Sequence, residues 1–381
     1  MEKRIKASEG LYLLSYCAFI VSIYMFTEIS YKPRAMWLLC PLFAFLIYVS
    51  IVLKRKYSYK ILLLRLGIIL VFSIASVSSN KPQVLVYSAL LCGADTTNFI
   101  KIVKTCVATC LTTVLVTATL NATGLIQSVS EVYSRFGISI KTFGFGYYAI
   151  VPYTVFYLSV QFLFLKDNNN KRASWLELIL ITALSYGLYR LTSLRLTLYL
   201  TIILVLLYIV LIKFDWFDLR NKVLNILTLL IFPVLFTFSI WVNYAFDITN
   251  ATFFAANRML SNRLYLGHEA LSRYSIKVFG NYIITSNGVG SEYFYIDCGF
   301  LFSLLGYGML FTGVVLLMYI YMHNYSARVN DKMLFIWLTV VAIFSFSNNT
   351  WISMQINPIL LYYPAILNRF ITMRNKVHKG I

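Results

Sequence analysis

The chain has 381 residues, of which 60% are hydrophobic and only 12% are charged, and it carries a formal net charge of +19. Soluble domains have roughly 45–50% apolar and about 25% charged residues, so this composition excludes an ordinary globular protein and indicates a membrane protein. The basic residues are scattered among short loops, which argues against nucleic acid and favours membrane lipids and lipid pyrophosphates as partners. The six cysteines form no CxxC pair and the three histidines are far apart, so no disulfide framework, metal site or cofactor is expected.

Apolar runs of about 20 residues recur along the chain, and each is long enough to cross a bilayer as a helix. The expected fold class is an all-α polytopic integral membrane protein, with residues 1–381 in a single membrane domain. The first run is expected to be a full span rather than a cleavable signal peptide. Asparagine and proline favour turns, so we place span boundaries at such residues. About twelve transmembrane helices are predicted, at 10–29, 35–53, 61–79, 84–100, 103–122, 146–165, 175–192, 195–213, 223–244, 299–322, 333–349 and 353–368.

The distribution of lysine and arginine predicts the orientation of these spans. Most of the 33 basic residues lie in the cytoplasm if the N-terminus is inside, and both termini are then cytoplasmic. This orientation leaves two long loops outside, a moderate one at 123–145 and a large one at 245–298 that is expected to contain short helices. Both loops carry positive charge against the usual bias, which indicates that the charge serves a function.

The centre of the large loop, residues 257–264, reads Asn-Arg-Met-Leu-Ser-Asn-Arg-Leu. Ser261 or Asn262 is expected to cap a helix from about 262 to 277. Arg263 then lies in the first turn, where free backbone N–H groups and a guanidinium together make a phosphate site. The alternative is an interfacial helix whose basic residues contact lipid headgroups.

Other side chains of the large loop are candidates for substrate contact. Gly267 shares a helix face with Arg263 and is expected to leave room for a ligand. Glu269 and Arg273 have the i,i+4 spacing of a solvated ion pair. His268 is expected to be structural or, less often, catalytic. The candidates for substrate binding around Arg263 are Arg258, His268, Glu269, Tyr274 and Glu292.

Asp297 closes the large loop in the sequence Tyr-Ile-Asp-Cys-Gly, just before a predicted span. A carboxylate there can act as a base or orient a hydroxyl. It can equally pair with one of the arginines. Glu292 is a weaker candidate for either role.

Two further cations lie at the predicted outer surface. Lys141 precedes a Gly-Phe-Gly segment that opens an inward span, and it is either a binding residue or an ordinary snorkelling lysine. Arg195 lies between two spans that are joined by almost no loop. A charge held near the hydrocarbon edge is costly unless it is paired or functional, which favours a function for Arg195.

These segments, in this order, resemble the Wzy polysaccharide polymerase family within the O-antigen polymerase and ligase superfamily. The resemblance covers roughly residues 100–310, and its most specific part is a Leu-Ser-x-Arg-Leu segment. Two departures are present: a lysine at 141, which offers a point charge instead of a bidentate fork, and Cys298 in place of an amide. The matching segments are Lys141-Thr142-Phe143-Gly144-Phe145, Ser193-Leu194-Arg195, Leu260-Ser261-Asn262-Arg263-Leu264, Phe279-Gly280 and Asp297-Cys298.

The resemblance implies a GT-C-like glycosyltransferase in the bacterial cytoplasmic membrane that transfers glycans on the outer face without a metal. It implies an undecaprenyl-diphosphate-linked glycan as donor and a hydroxyl of another lipid-linked repeat as acceptor. Chain-length regulator and flippase proteins are the implied protein partners. Preorganised cations would stabilise the charge on the leaving diphosphate. The residues matched to these roles are Arg263, Arg195 and Lys141 as cations, Arg258 in support, and Asp297 as base, followed by Glu292, Glu269 or His268.

Two alternative functions remain open. An O-antigen-type ligase would transfer the finished glycan to a different acceptor, and sequence does not separate it from a polymerase. A flippase or transporter of the same lipid-linked glycan would be expected to have two related halves with cations buried in spans. No internal repeat is visible here and the cations lie outside, so transport is disfavoured.

Overall fold

The computed structural model describes residues 2–54, 59–127, 140–285 and 294–368 of the chain. The regular structure in these ranges is helical, with no β-strand. The predicted all-α fold is therefore confirmed for this part of the protein. The helices are α1 (Glu2–Ile23), α2 (Pro33–Lys54), α3 (Tyr59–Ser79), α4 (Gln83–Gly93), α5 (Phe99–Ala122), α6 (Ile150–Asn168), α7 (Trp175–Thr192), α8 (Arg195–Tyr208), α9 (Lys222–Tyr244), α10 (Ala251–Met259), α11 (Arg263–Arg273), α12 (Gly299–Phe302), α13 (Met309–Val329) and α14 (Lys332–Ser345).

Six helical segments are long and apolar enough to cross a membrane, which supports a membrane-embedded helical protein. Two of them include a π-helical turn that continues α1 over Tyr24–Ile29 and α8 over Ile209–Lys213. Three more helices of 18 to 21 residues, α6, α7 and α13, overlap predicted spans, and only α7 has the predicted bounds. The six segments are Lys6–Ile29, Pro33–Leu53, Ile61–Ser79, Phe99–Ala122, Arg195–Lys213 and Lys222–Tyr244.

Two predicted spans are shorter than expected. The span predicted at 84–100 is only the 11-residue α4, followed by a 3₁₀ turn over Ala94–Thr96. At 1.5 Å per residue α4 is about 16 Å long, short of the roughly 30 Å of a bilayer core. This helix end was not predicted because it lies within a continuous apolar run. Near it, Asp95 pairs with Arg65 of α3 (Oδ2–Nη2 2.9 Å). The span predicted at 333–349 is the 14-residue α14.

The last predicted span and the one at 299–322 are interrupted. Residues 353–368 form turns, a 3₁₀ helix at Pro358–Tyr362 and a final short helical stretch instead of one helix. The run 299–322 breaks at Gly308, whose φ of +92° ends the π-helical turn Ser303–Tyr307 before α13 begins. The loop segment 277–281 bonds to the backbone around this break, with Met309 N–H donating to Lys277 O at 3.0 Å.

The loops that were predicted from the sequence to lie outside the membrane meet at one end of the helix bundle. We call this end the site end. There α1, α5 and α7 finish and α6 and α8 begin. The N–H of Gly146, before α6, donates to the carbonyl of Glu28 at the end of α1 (2.5 Å). The N–H of Lys141 donates to the carbonyl of Leu191 at the end of α7 (3.1 Å). The segment between α5 and α6 is thus hydrogen-bonded to two helix ends. It includes residues of the candidate site described next.

Candidate functional site

Arg263 and Asp297 form an ion pair at the site end. Arg263 is the first residue of α11, and Asp297 lies in the extended segment before α12. The guanidinium Nε is 3.4 Å from the carboxylate Oδ2, and only 17% and 14% of the two side chains are exposed. Because a charge removed from water is costly unless it has a partner, each residue of this pair stabilises the other. Two of the residues predicted from the sequence are therefore brought together.

Four tyrosines surround this pair. Tyr147 and Tyr148 lie just before α6, Tyr153 lies in its first turn, and Tyr295 precedes Asp297 by two positions. Three of them, Tyr147, Tyr148 and Tyr153, are close enough to Arg263 to interact with it electrostatically. The Tyr153 hydroxyl is buried and has no hydrogen-bond partner among the described residues. Tyr147 and Tyr295 are 42% and 44% exposed, so both side chains are partly accessible from outside the protein.

The environment changes the acid–base properties of both members of the pair. Burial raises the pKa of Asp297, and the Arg263 guanidinium opposes that rise without cancelling it. Burial lowers the pKa of Arg263, but the Asp297 carboxylate and the nearby phenols outweigh this, so the pKa of Arg263 is raised overall. Arg263 is thus a permanent cation, and Asp297 is a better proton acceptor than an exposed aspartate.

The start of α11 is held by Asn257, not by the expected cap. Ser261 and Asn262 both have left-handed backbones (φ +59° and +66°), and neither side chain caps the helix. A capping residue needs an extended backbone, so the prediction of a cap at either position was wrong. The Asn257 Oδ1 instead accepts the N–H of Tyr265 at 3.0 Å, and its Nδ2 donates to the Asn262 Oδ1 at 3.3 Å.

This arrangement leaves few free N–H groups at the helix start. Besides Tyr265, Arg263 donates its N–H to the Leu260 carbonyl (3.4 Å) and Leu266 donates to the Asn262 carbonyl (3.1 Å). The expected phosphate site therefore depends on the guanidinium of Arg263, with little help from the backbone. The helix also ends at Arg273, four residues before the predicted end.

The space beside Gly267 is not available to a ligand, contrary to the prediction. A Cβ added to Gly267 would lie 1.8 Å from the Oδ1 of Asn243, because the side-chain amide from α9 packs against this glycine. The cavity behind Arg263, lined by Asn243 and Cys298, holds only about 10 Å³, roughly one water molecule. This cavity is therefore too small for a ligand larger than water.

Lys141 and Arg195 lie on adjoining elements at the same end of the bundle. The backbone of Lys141 is bonded to Leu191, and the turn from α7 to α8 passes through Ser193 in a left-handed conformation (φ +57°) before Arg195 begins α8. Both side chains are exposed. Lys141 lies in the same segment as Tyr147 and Tyr148, and these two tyrosines interact with Arg263. The chain therefore connects Lys141 to the Arg263–Asp297 pair.

Three other candidates form no hydrogen bond or ion pair with Arg263 or Asp297 among the described residues. His268 is exposed, and its Nδ1 is 3.1 Å from the Asn243 carbonyl, which supports the structural interpretation. The Tyr274 hydroxyl accepts a hydrogen bond from the Ile284 N–H at 3.1 Å and thereby connects two parts of the large loop. Arg258 is exposed in the last turn of α10.

The predicted pair of Glu269 and Arg273 forms. Its arginine side is solvated, with 41% of the Arg273 side chain exposed, whereas only 14% of the Glu269 side chain is exposed. The guanidinium of Arg273 lies 4.5 Å from the ring centre of Phe294, which fixes it by a cation–π contact. This pair fastens α11 to the end of the large loop. Glu292 lies outside the described residues.

Sequence reasoning missed the tyrosines and Asn257. The Tyr-Tyr doublet at 147–148 directly follows the Gly-Phe-Gly segment. Its position beside this motif could have indicated that the tyrosines belong to the site. Asn257 lies in the central segment 257–264, where the sequence pattern indicates no role for it. A larger cavity of about 270 Å³ lies at the opposite end of the bundle, where Asp215 pairs with Lys332, and includes none of the predicted site residues.

No protein-family model, curated protein or solved structure matches the chain.

Proposed function

We propose that the protein is a membrane glycosyltransferase that polymerises undecaprenyl-diphosphate-linked oligosaccharide repeats on the outer face of the bacterial cytoplasmic membrane. Its architecture would be GT-C-like, with about twelve membrane segments, of which some, such as α4, are shorter than the bilayer core. The observation that carries the proposal is the Arg263–Asp297 pair, a shielded cation beside a shielded carboxylate, 3.4 Å apart. Glycosyl transfer from a lipid diphosphate uses a cation for the leaving group and a base for the acceptor hydroxyl, and the pair supplies one of each.

The cation stabilises the leaving group. As the bond between the anomeric carbon and the diphosphate oxygen breaks, negative charge grows on the diphosphate. A guanidinium already in place stabilises that charge without reorganisation. The ion pair engages Nε of Arg263, and the two Nη atoms carry four more N–H donors for phosphate oxygens. Lys141 and Arg195 extend the positive surface at the same end.

The carboxylate accepts the proton. The acceptor hydroxyl oxygen forms a new bond to the anomeric carbon as its O–H bond breaks, and Asp297 takes the proton. The raised pKa of Asp297, caused by burial, makes it a stronger base than an exposed aspartate. The lipid diphosphate departs with the electron pair of the broken bond, so the step balances without a metal or an oxidant.

The tyrosines suit a sugar substrate. The exposed side chains of Tyr147 and Tyr295 offer apolar ring faces with polar edges near the pair. Such rings stack on sugar faces while their hydroxyls bond to sugar oxygens. The unpartnered hydroxyl of Tyr153 lies behind them, close to both charges of the pair.

The test uses purified protein in liposomes with lipid-linked repeats extracted from the host, with and without EDTA. A ladder of glycan lengths that is insensitive to EDTA supports a polymerase. One transferred product on a different acceptor supports a ligase, and movement across the bilayer without new bonds supports a flippase. Either of the last two results contradicts the proposal.

A further inference from the structure

The cavity of about 270 Å³ at the end of the bundle opposite the Arg263–Asp297 pair has no part in the proposed reaction. Its walls come from the end of α6, the π-helical turn Ile209–Lys213, the start of α14 and the 3₁₀ helix Pro358–Tyr362. Liquid water takes about 30 Å³ per molecule, and ligand pockets begin at about 300 Å³. The space therefore suits a small polar group, such as one headgroup, and not a glycan chain.

Charged side chains of both signs line this cavity. Three are carboxylates and two are cations, so a purely anionic ligand would meet an excess of like charge. The carboxylates do not converge on one point, since no group of three acidic, histidine or cysteine residues in the described ranges could hold a metal ion. A ligand that carries separate positive and negative groups fits this arrangement best. The charged residues of the lining are Asp167, Asp215, Asp331, Arg172 and Lys332.

Two of these side chains offer their hydrogen-bonding groups to a ligand. Asp167 is half-buried at the end of α6, and within the described ranges its carboxylate makes no hydrogen bond or direct ion pair. Arg172 is exposed, and its Nη1 donates to the Lys213 carbonyl only over a long 3.5 Å, while the guanidinium has further N–H donors. Asp215 and Lys332, by contrast, pair with each other. Asp167 thus provides an acceptor for a cation, and Arg172 provides donors for an anion.

The walls of the cavity are held by hydrogen bonds between the elements that form it. The Asn330 Oδ1 accepts the N–H of Leu219 at 3.0 Å, which joins the start of α14 to the loop after α8. The Tyr208 hydroxyl accepts the N–H of Ala173 at 2.8 Å, which joins α8 to the segment after α6. The cavity is therefore formed before a ligand arrives, which lowers the cost of binding.

The cavity lies where membrane-crossing segments end. Leu211 and Ile212 in its wall belong to the last turn of the segment Arg195–Lys213, which is long and apolar enough to cross a bilayer. The next such segment begins at Lys222, so the loop 214–221 joins two segments at one membrane face. The cavity is thus expected at the level of the lipid headgroups.

Exposed aromatic rings beside the cavity support this depth. Trp175, Phe214 and Trp216 are all exposed, and the last two rings are stacked with their centres 5.0 Å apart. The Lys213 Nζ lies 5.3 Å from the ring centre of Trp175. Tryptophan and lysine at the ends of membrane helices occupy the headgroup layer. Since Asp215 of the cavity wall lies between Phe214 and Trp216, the cavity opens among groups that contact lipid headgroups.

We propose that this cavity binds the headgroup of a membrane lipid that carries a primary ammonium beside a phosphate diester, as in phosphatidylethanolamine. The ammonium donates to the Asp167 carboxylate, and the Arg172 guanidinium donates to the phosphate oxygens. The acyl chains stay in the bilayer. This inference does not depend on the proposed function, because it concerns the opposite end of the bundle.

Native mass spectrometry of the purified full chain in detergent tests the inference, because it resolves single bound lipids. The probes are phosphatidylethanolamine, phosphatidylcholine and phosphatidylglycerol with identical acyl chains. The first phosphatidylethanolamine should bind about tenfold more tightly than the first phosphatidylcholine, since methylation removes the N–H donors that Asp167 accepts. Phosphatidylglycerol lacks the cation and should be weaker by a similar factor. Equal affinity for the three lipids overturns the inference.

Two variants place the binding in this cavity. Asp167→Asn should remove the preference for phosphatidylethanolamine over phosphatidylcholine. Arg172→Gln should weaken both lipids about tenfold, because both carry the phosphate, and it changes an exposed side chain that the fold does not need. Asp218→Asn is the matched control, since Asp218 lies at the same end, pairs with Arg220 and does not line the cavity. An unchanged preference in Asp167→Asn, or unchanged affinity in Arg172→Gln, overturns the assignment.

A headgroup without acyl chains separates a lipid from a soluble ligand. Glycerophosphoethanolamine has the same ammonium and phosphate, and it should displace phosphatidylethanolamine only in large excess. If it competes at equal concentration, the ligand is a soluble molecule and the lipid assignment fails. Because none of these measurements uses glycan transfer, their outcome is independent of whether the protein forms polymer.

Discussion

The guanidinium of Arg263 lies 3.4 Å from the carboxylate of Asp297, although the two residues come from opposite ends of one long loop. Each side chain is mostly shielded from solvent, so neither charge is stable there without the other. The pair therefore closes the loop and also places a cation and a base side by side.

Asp297→Asn should lower the polymerisation rate by about 10²–10⁴-fold, because the amide cannot accept the proton. In the wild type the rate should fall as the pH is lowered through the pKa of Asp297. Burial raises that pKa, so the acid limb should lie above the ordinary aspartate value of about 3.9. Rates of polymer formation in liposomes as a function of pH measure both effects.

Asp247→Asn is the control for Asp297. Asp247 is exposed after α9, and among the described residues its carboxylate bonds to the nearby Thr249 alone. Its replacement should leave the rate and the pH profile unchanged. An Asp297→Asn variant with the wild-type rate would remove the base assignment.

Tyr153→Phe should reduce polymerisation about tenfold without loss of stability. Its hydroxyl is buried without a partner among the described residues, so removing it leaves no bonded group unsatisfied, and the melting temperature should hold or rise. Tyr157, one helical turn further on, provides the comparison because its hydroxyl bonds to Thr350 Oγ1 at 2.8 Å.

Tyr157→Phe should show the opposite pattern to Tyr153→Phe. Loss of its hydrogen bond should cost about 1 kcal/mol of stability, while activity is kept. Thermal unfolding and rate assays on the two variants together test the assignment. If Tyr153→Phe is fully active, the Tyr153 hydroxyl has no part in the site.

Asn257→Ala should reduce activity by displacing Arg263. Its side chain caps α11 through Tyr265 and braces Asn262, and loss of such a cap costs about 1 kcal/mol. Asn250 caps the neighbouring α10 through Thr252 N–H at 2.9 Å. Asn250→Ala should cost similar stability yet leave the rate normal, so equal rates in the two variants would show that the cap of α11 does not position Arg263.

Gly280→Ala should destabilise the protein strongly. Gly280 has a φ of +83°, and a Cβ there would lie 2.2 Å from the carbonyl oxygen of Gly306. Neither the backbone conformation nor the contact tolerates a side chain, so the cost should exceed about 1 kcal/mol. Gly313→Ala in α13 meets nothing within 4 Å and should stabilise the helix by roughly 0.5–1 kcal/mol. Melting temperatures measure the contrast, and equal values would contradict the close backbone crossing.

The sequence predicted the elements that depend on local residues, and it did not predict those that depend on contacts between distant segments. Long apolar runs indicate helices because hydropathy is a local property, and Arg263 at the start of α11 was predicted from local chemistry. The interruption at Gly308 was not, because it depends on Gly280 packing against it from the large loop. The pairing of Arg263 with Asp297 and the approach of Tyr147 likewise depend on contacts between distant segments. The composition of those segments gives no distance between them.

The most direct test of the central claim is polymer formation by Arg263→Ala in liposomes supplied with lipid-linked repeats. Arg220→Ala is the matched control, because Arg220 is exposed and pairs with Asp218 between α8 and α9, at the opposite end. The account predicts that Arg263→Ala remains in the membrane, forms no polymer and leaves single lipid-linked repeats unused, while Arg220→Ala makes a normal ladder. Polymer of normal length and amount from Arg263→Ala would contradict it.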